Sequence, residues 1–428
     1  GRGLRTVACG AGDDMLEVWL ARLGLEPRVD PYLRAAAAFG RAALGGVGVL
    51  NHCHNTQDPG ALMAEAQAVA RAAADVGLRV AFATPLMGRN PIVYGDPAPL
   101  LAALPEPVAT RLAARRPLSF ADQLAVAEDI FALQSPHFLP QYGPVGPQWV
   151  DDATLATIAE CSASHDRRVH MHLLETEAQR QWAEAAYPGG LIRHLDALGL
   201  LSPRLTVAQG VWLDPDDCAL LAERGVIVSV NTSSNLRLRS GIAPVARFVA
   251  AGLRFGMGLD GMAFDDDEDA LRELRLLWHL QRGFGTTDTL TPDRLWQAVL
   301  EDGRAAILGP DGGGRIAPGA PADLLALRTD RMTADTIPGR ASPESLLLTR
   351  ATRADIAGLW VGVFVCAELA GRPEARSASS FKRLGLAALV AAGLSLPAVW
   401  PVLSGWYGLP DREERVINER LIGQTDLL

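Results

Sequence analysis

Short apolar runs alternate with longer stretches of helical periodicity along most of this chain. Runs near 46–51, 79–83, 138–142, 169–173, 205–209, 226–230 and 253–259 have the length and content of strands. Between them, residues 61–76, 120–134, 151–164, 176–186, 191–198, 215–223, 244–251 and 267–281 repeat apolar positions at helical spacing. Asp151 is placed to cap one of these helices, and Gly225 and Gly252 to stop two others. Helical patterns at 13–23 and 31–44 precede the first strand, and a Pro- and Gly-containing loop runs from 85 to 105. Strand and helix alternating through short loops predict a parallel sheet with helical crossovers.

Polar residues take a constant place in this rhythm. His52, His54, His172, Gln209, Asn231 and Asp260 stand where a strand ends and its loop begins. A (β/α)8 barrel gathers its site from the C-terminal ends of several strands in this way. A doubly wound sheet would open its first helix on G-x-G-x-x-G, and no such motif opens a helix here. Residues 309–314 are Gly-rich but lack the lysine and Ser/Thr of a phosphate loop, so they read as a turn. The pattern yields seven strands, one short of closure, and a seven-strand arc would leave two edges and a breach in the core. Arg5-Thr-Val-Ala-Cys9 could fill that gap as a makeshift strand. The expected fold is therefore α/β. It is a (β/α)8 TIM-like barrel over 1–310, apparently lacking its first strand, with a small partial β-sandwich unit over 311–376.

Composition narrows the setting. Apolar residues make up 49% of the 428 and charged residues 21%, the balance of a globular chain. A net charge of −9 argues against a nucleic-acid partner. The five cysteines, Cys9, Cys53, Cys161, Cys218 and Cys366, are scattered and form no C-x-x-C pair, as in a reducing, cytoplasmic protein. Residues 384–410 carry no charge and are long enough to cross a bilayer. Pro397, Pro401 and many small residues argue instead for a hydrophobic helix and loop, within a 377–428 segment packed on the barrel. Self-association into a homo-oligomer stays open.

The stretch Arg168-Val-His-Met-His-Leu-Leu-Glu-Thr176 carries the chemistry. His170 and His172 are two apart and leave one face of a strand. Glu175 follows where the strand gives way to a helix. An imidazole at a strand end with a carboxylate just beyond it suits a metal or a general acid, although buried, hydrogen-bonded histidines satisfy the same pattern. Asp265-Asp-Asp-Glu-Asp269 fits the acidic start of a helix and lacks the glycine and final glutamate of a calcium loop.

Four motifs in order resemble the amidohydrolase superfamily, and within it the cytosine-deaminase-like aminohydrolase branch. They are His172-Leu-Leu-Glu175-Thr, the loop from Val230-Asn-Thr-Ser-Ser-Asn to Pro244, Gly256-Met-Gly-Leu-Asp260-Gly, and the turn-rich passage from Gly314 to Leu324. The resemblance implies a metal-dependent hydrolase acting on a non-peptide C–N bond. It would deaminate or open an amidine, a cyclic amide or an aminated heterocycle. One divalent ion, zinc or iron, would sit on His172 and Asp260, with Asp260 as base and Glu175 as proton carrier.

The chain departs from that pattern twice. Where the branch has Ala-His-Gly or Ala-His-Cys on its sixth strand, this chain has Ala208-Gln209-Gly210. Glutamine is a poor metal ligand and no acid. The H-x-H pair of the first strand is also displaced. His52-Cys-His54 has the spacing, but its context resembles the end of the second strand. On that alignment the chain begins just past its first strand, and a catalytically degenerate or truncated homologue serving as a binding or partner subunit is the alternative. His52 and His54 could line the pocket or act as replacement ligands. His170 would be a neighbour of the site. Arg237 and Arg239 could clamp a substrate carboxylate or form scaffold salt bridges. Gln148 and Trp149 could contact a flat heterocycle, or Trp149 could fill core.

Overall fold

A computed structural model describes residues 14–22, 27–56, 58–89, 93–113, 118–260, 268–318 and 320–363. The chain divides into two compact units. Among the described residues, those up to 315 with 328–356 form the first, and those of 316–327 with 357–363 the second.

The first unit is built on a seven-stranded sheet, all parallel and in sequence order. Its strands are β1 (Val49–Cys53), β2 (Arg79–Leu86), β3 (Phe138–Pro144), β4 (Val169–Leu173), β5 (Leu205–Gln209), β6 (Ile227–Val230) and β7 (Arg254–Met257). They fall on the seven apolar runs, and the sheet is the curled, incomplete barrel that those runs predict. A short hairpin follows, β8 (Gly283–Phe284) with β9 (Thr287–Asp288).

The helices begin and end at the residues suited to those jobs. Asp151 accepts a hydrogen bond from Thr154 N at the start of helix Asp152–His165, and Thr176 and Asp214 do the same for the next crossovers. Asp269, the last of the acidic run, caps helix Ala270–Gln281 by accepting from Leu271 N and Arg272 N. Gly252 ends helix Val245–Ala251 in the left-handed region at φ 67°.

Parity along the strands separates core from interior. Phe82, Phe138, Tyr142, Met171, Val207, Val228 and Phe255 turn outward into the layer between sheet and helices and are fully buried. Burial of each such side chain is worth about 1.5–3 kcal/mol. The inward positions are smaller and more polar. Asn51, Cys53, His170, His172, Thr206, Ala208, Ser229 and Gly256 line a cavity of about 220 Å³ rather than the branched layers of a filled barrel.

One helical stretch spans the two terminal strands. Pro292–Trp296 passes through a π turn, Gln297–Asp302, into Gly303–Leu308. That last segment packs against β1, β6 and β7. Its Ala306 carbonyl accepts from Arg168 Nε at 2.8 Å and from Thr206 Oγ1 at 3.2 Å, which pins it beside the N-terminal ends of β4 and β5.

In the second unit, β10 (Ala322–Leu327) pairs with β11 (Ile356–Val363) as a two-stranded sheet. The strand envisaged at Arg5–Cys9 and the hydrophobic segment at 384–410 lie outside the described residues.

Candidate functional site

The sheet delivers its polar residues to the C-terminal mouth of the barrel. β4 brings His172, β5 brings Gln209, the turn after β6 brings Asn231, and the turn after β7 brings Asp260, all lining the cavity. Two of these residues hold backbones that only glycine adopts freely. Gln209 has φ 80° and Asp260 φ 55°. Left-handed conformations at non-glycine residues cost about 1–3 kcal/mol and persist where the surroundings fix them.

Hydrogen bonds supply that fixing. Gln209 Nε2 donates to Asp260 Oδ2 at 2.9 Å, and Ser234 Oγ donates to the same oxygen at 2.9 Å. Asn235 Nδ2 donates to Gln209 Oε1 at 2.7 Å. Asn231 lies over Gly258, where a Cβ would stand 2.1 Å from its Oδ1, so glycine is needed there.

His172 is neutral. Burial lowers its pKa, outweighing the opposite pull of Asp260. A neutral imidazole keeps a lone pair on one of its two ring nitrogens. His170, deeper on β4, meets His172 edge-on with ring centroids 6.1 Å apart. Both its ring nitrogens are buried without a partner, and burial drives its pKa down to about 3.

Glu175 is 3% exposed. Burial pushes its carboxyl well above the usual glutamate range, and the charge of Asp260 adds to the effect. Ser240 Oγ donates to its Oε1 at 3.3 Å, and its own backbone N–H donates to Gln179 Oε1 at 2.7 Å. Glu175 is thus biased toward its protonated form, while Asp260 accepts two hydrogen bonds on one carboxylate oxygen, so the two carboxyl groups stand in different environments.

Other candidates sit around this centre. Trp149 packs against Tyr94 with the rings tilted by 48° and centroids 5.6 Å apart, and Tyr94 OH donates to Glu17 Oε1 at 2.9 Å. Thr176 Oγ1 donates to the same Glu17 oxygen at 2.7 Å, so Glu17 and Tyr94 join the neighbourhood of Glu175. Neither had a motif to mark it. Gln148 and Arg237 are buried. Arg239 is 71% exposed and lies 3.9 Å from Asp14. His52 points away from the cavity, since Asn51 and Cys53 occupy the inward positions of β1. It packs against Phe39 and Phe82, each with centroids 5.8 Å away. His54 bonds His52 and Glu65.

An amidohydrolase family profile matches residues 8–365. The chain belongs to the amidohydrolase family. Relatives by sequence include a 5'-deoxyadenosine deaminase of Methanoregula boonei, 37% identical over 215 residues, which are 50% of this chain and 48% of that protein. An 8-oxoguanine deaminase of Pseudomonas aeruginosa is 34% identical over 221 residues, 51% of this chain and 48% of that one. The match thus spans about half the length of these curated relatives. The fold is shared with an adenosine deaminase from Xanthomonas campestris solved with bound zinc, at TM-score 0.66 and 22% identity over 84% of this chain and 76% of that one. It is shared as well with a triazine hydrolase variant, at TM-score 0.67 and 20% identity over 91% and 84%.

The zinc of that relative raises the question of a metal here. Among the described residues, no group of three or more His, Cys, Asp or Glu stands close enough to hold an ion. His172 and Asp260 are two conventional ligands, and the residue beside them is Gln209. They do not form a closed metal centre by themselves.

Proposed function

We propose that this chain carries the catalytic barrel of a hydrolase that cleaves a non-peptide C–N bond in a small nitrogenous molecule. Adenosine-like and purine-like compounds are the first substrates to consider, because the sequence relatives are named for 5'-deoxyadenosine and 8-oxoguanine. The observation that carries the reading is the placing of a buried carboxyl, Glu175, just beyond the end of β4 and of a second, Asp260, just beyond the end of β7, where its Oδ2 accepts from Gln209 and Ser234. Hydrolysis of a C–N bond needs a proton acceptor and a proton donor at once. Asp260 takes the proton of the attacking water, and Glu175 gives one to the departing nitrogen.

A divalent ion, with zinc favoured by the Xanthomonas relative, would meet the unprotonated ring nitrogen of His172 and the carboxylate of Asp260. The described residues leave such a centre short of ligands, so the proton steps are assigned to the side chains alone. The three described cysteines are unbridged, which suits a cytosolic setting. No described helix is long and apolar enough to cross a membrane.

The test is ammonia release from 5'-deoxyadenosine, 8-oxoguanine and a panel of aminated heterocycles, with and without added zinc. Turnover that falls about 100-fold or more in Glu175→Gln and in Asp260→Asn supports the proposal. Absence of release from every compound under both conditions would sink it.

A further inference from the structure

The amide of Gln209 has a fixed orientation. Its Nε2 faces the Asp260 carboxylate and its Oε1 faces Asn235 Nδ2. Turned over, it would set its oxygen against a carboxylate oxygen of Asp260 and would give up the bond from Asn235 Nδ2 unless that amide turned with it, so the Asp260 contact is what selects the orientation. The side chain is fully buried and its backbone is held at φ 80°. The oxygen, the one atom of Gln209 able to bind a cation, is therefore turned away from Asp260. Ser234 adds a second donor to the same carboxylate oxygen.

We propose that Gln209 is a positioning residue standing where a metal ligand would serve. Held by Asn235, it keeps Asp260 in place through a hydrogen bond and makes divalent-ion binding at His172 and Asp260 weak and exchangeable. The inference rests on the reading of Asp260 and His172 as the ion-facing groups. It is tested without substrate, so its failure is distinct from a failure of the proposed activity.

Zinc retention is measured on the full chain by equilibrium dialysis. The wild-type protein is expected to bind no more than weakly. Gln209→His adds a third conventional ligand and is expected to tighten binding at least about tenfold, in line with the effect of one group on a metal site. Gln209→Ala, which removes the donor and supplies no ligand, is expected to give no such gain. Asn235→Asp is the more specific variant. Its carboxylate accepts from Gln209 Nε2, so the amide turns and presents Oε1 toward Asp260. Zinc binding is expected to rise in Asn235→Asp and to fall back in Asn235→Asp/Gln209→Ala, which a merely structural glutamine would not produce.

Tight stoichiometric zinc in the wild-type chain would overturn the inference, as would equal retention in wild type and Gln209→His. Should Gln209→His fail to fold, as read from its thermal melt, Asn235→Asp decides. A gain supports the inference, and no gain overturns it.

Discussion

Gly256 of β7 and Gly303 of the helix that spans β1 and β7 meet backbone to backbone. A Cβ built on Gly256 would stand 2.6 Å from Gly303 Cα, closer than real Cβ atoms come. The reverse is not true, since a Cβ on Gly303 would have its nearest neighbours at 3.4 and 3.7 Å, which is ordinary contact. Gly256→Ala is therefore expected to cost about 2 kcal/mol by overpacking. Gly303→Ala is expected to be neutral, or to stabilise by about 0.5–1 kcal/mol through helix propensity. Urea unfolding of both variants checks the asymmetry. Equal losses would mean that the close approach is not what holds the helix in place.

The same helical stretch is anchored by a buried carboxylate. Asp302, 1% exposed, accepts from Arg254 Nε at 2.8 Å and from Arg294 Nη1 at 2.9 Å. Arg294 also lies over the Phe255 ring, 4.5 Å from its centroid. Asp302→Ala would leave two guanidinium groups without their shared acceptor. A loss of about 3 kcal/mol is expected, at the lower end for a broken buried pair because Arg254 is partly exposed. A loss under about 1 kcal/mol in urea unfolding would show that water replaces the carboxylate.

Much of this arrangement is legible in the sequence, and the limits of legibility are physical. Seven apolar runs give seven strands because a parallel strand covered by helices is apolar along its length. The placing of His172, Gln209 and Asp260 at one mouth follows because strand ends in a barrel share one side. His52-Cys53-His54 is less legible. Its spacing is right for two side chains on one face, but which face is decided by register, and β1 pairs with β2 so that Asn51 and Cys53 turn inward. The bonds from Gln209 to Asn235 and Asp260 join residues 26 and 51 positions apart. No local pattern encodes them. Ser234 and Ser240 stand in a loop quoted for its motif, yet their roles depend on where that loop folds back.

The raised pKa of Glu175 has a consequence for stability. Its folded-state proton is held more tightly than in the unfolded chain, whose ordinary value is 4.5. The folded state therefore binds more protons above that pH, and stability from this group is present below it and lost as pH rises through the folded value. Subtracting the stability profile of Glu175→Gln from that of wild type isolates the group. The difference is expected to fall with rising pH from about 4.5 upward. A flat difference would mean that Glu175 is ionised in the folded protein, and the acid role would go with it.

His52 and His54 act in the opposite direction. Burial lowers both pKa values, for His52 far below 6.5, and for His54 despite the opposing pull of Glu65. Both rings are therefore neutral near pH 7, and the hydrogen bonds fix their tautomers. Glu65, a carboxylate, can only accept, so His54 Nε2–H donates to it at 2.7 Å. His54 Nδ1 is then the acceptor of the 3.1 Å bond, and His52 Nε2–H donates to it. Nitrogen-15 NMR at pH 7 is expected to find Nε2 protonated and Nδ1 bare on both rings. In the unfolded chain each histidine takes a proton near pH 6.5 that the folded protein resists. These groups thus contribute stability above that pH, and it is lost as pH falls toward and below it. Between pH 7.5 and 5, the wild-type urea midpoint is expected to drop more than that of a His52→Gln/His54→Gln variant. Equal slopes would show that the pair takes up protons in the folded state, and Glu65 would then be bound to a charged imidazole rather than a neutral one.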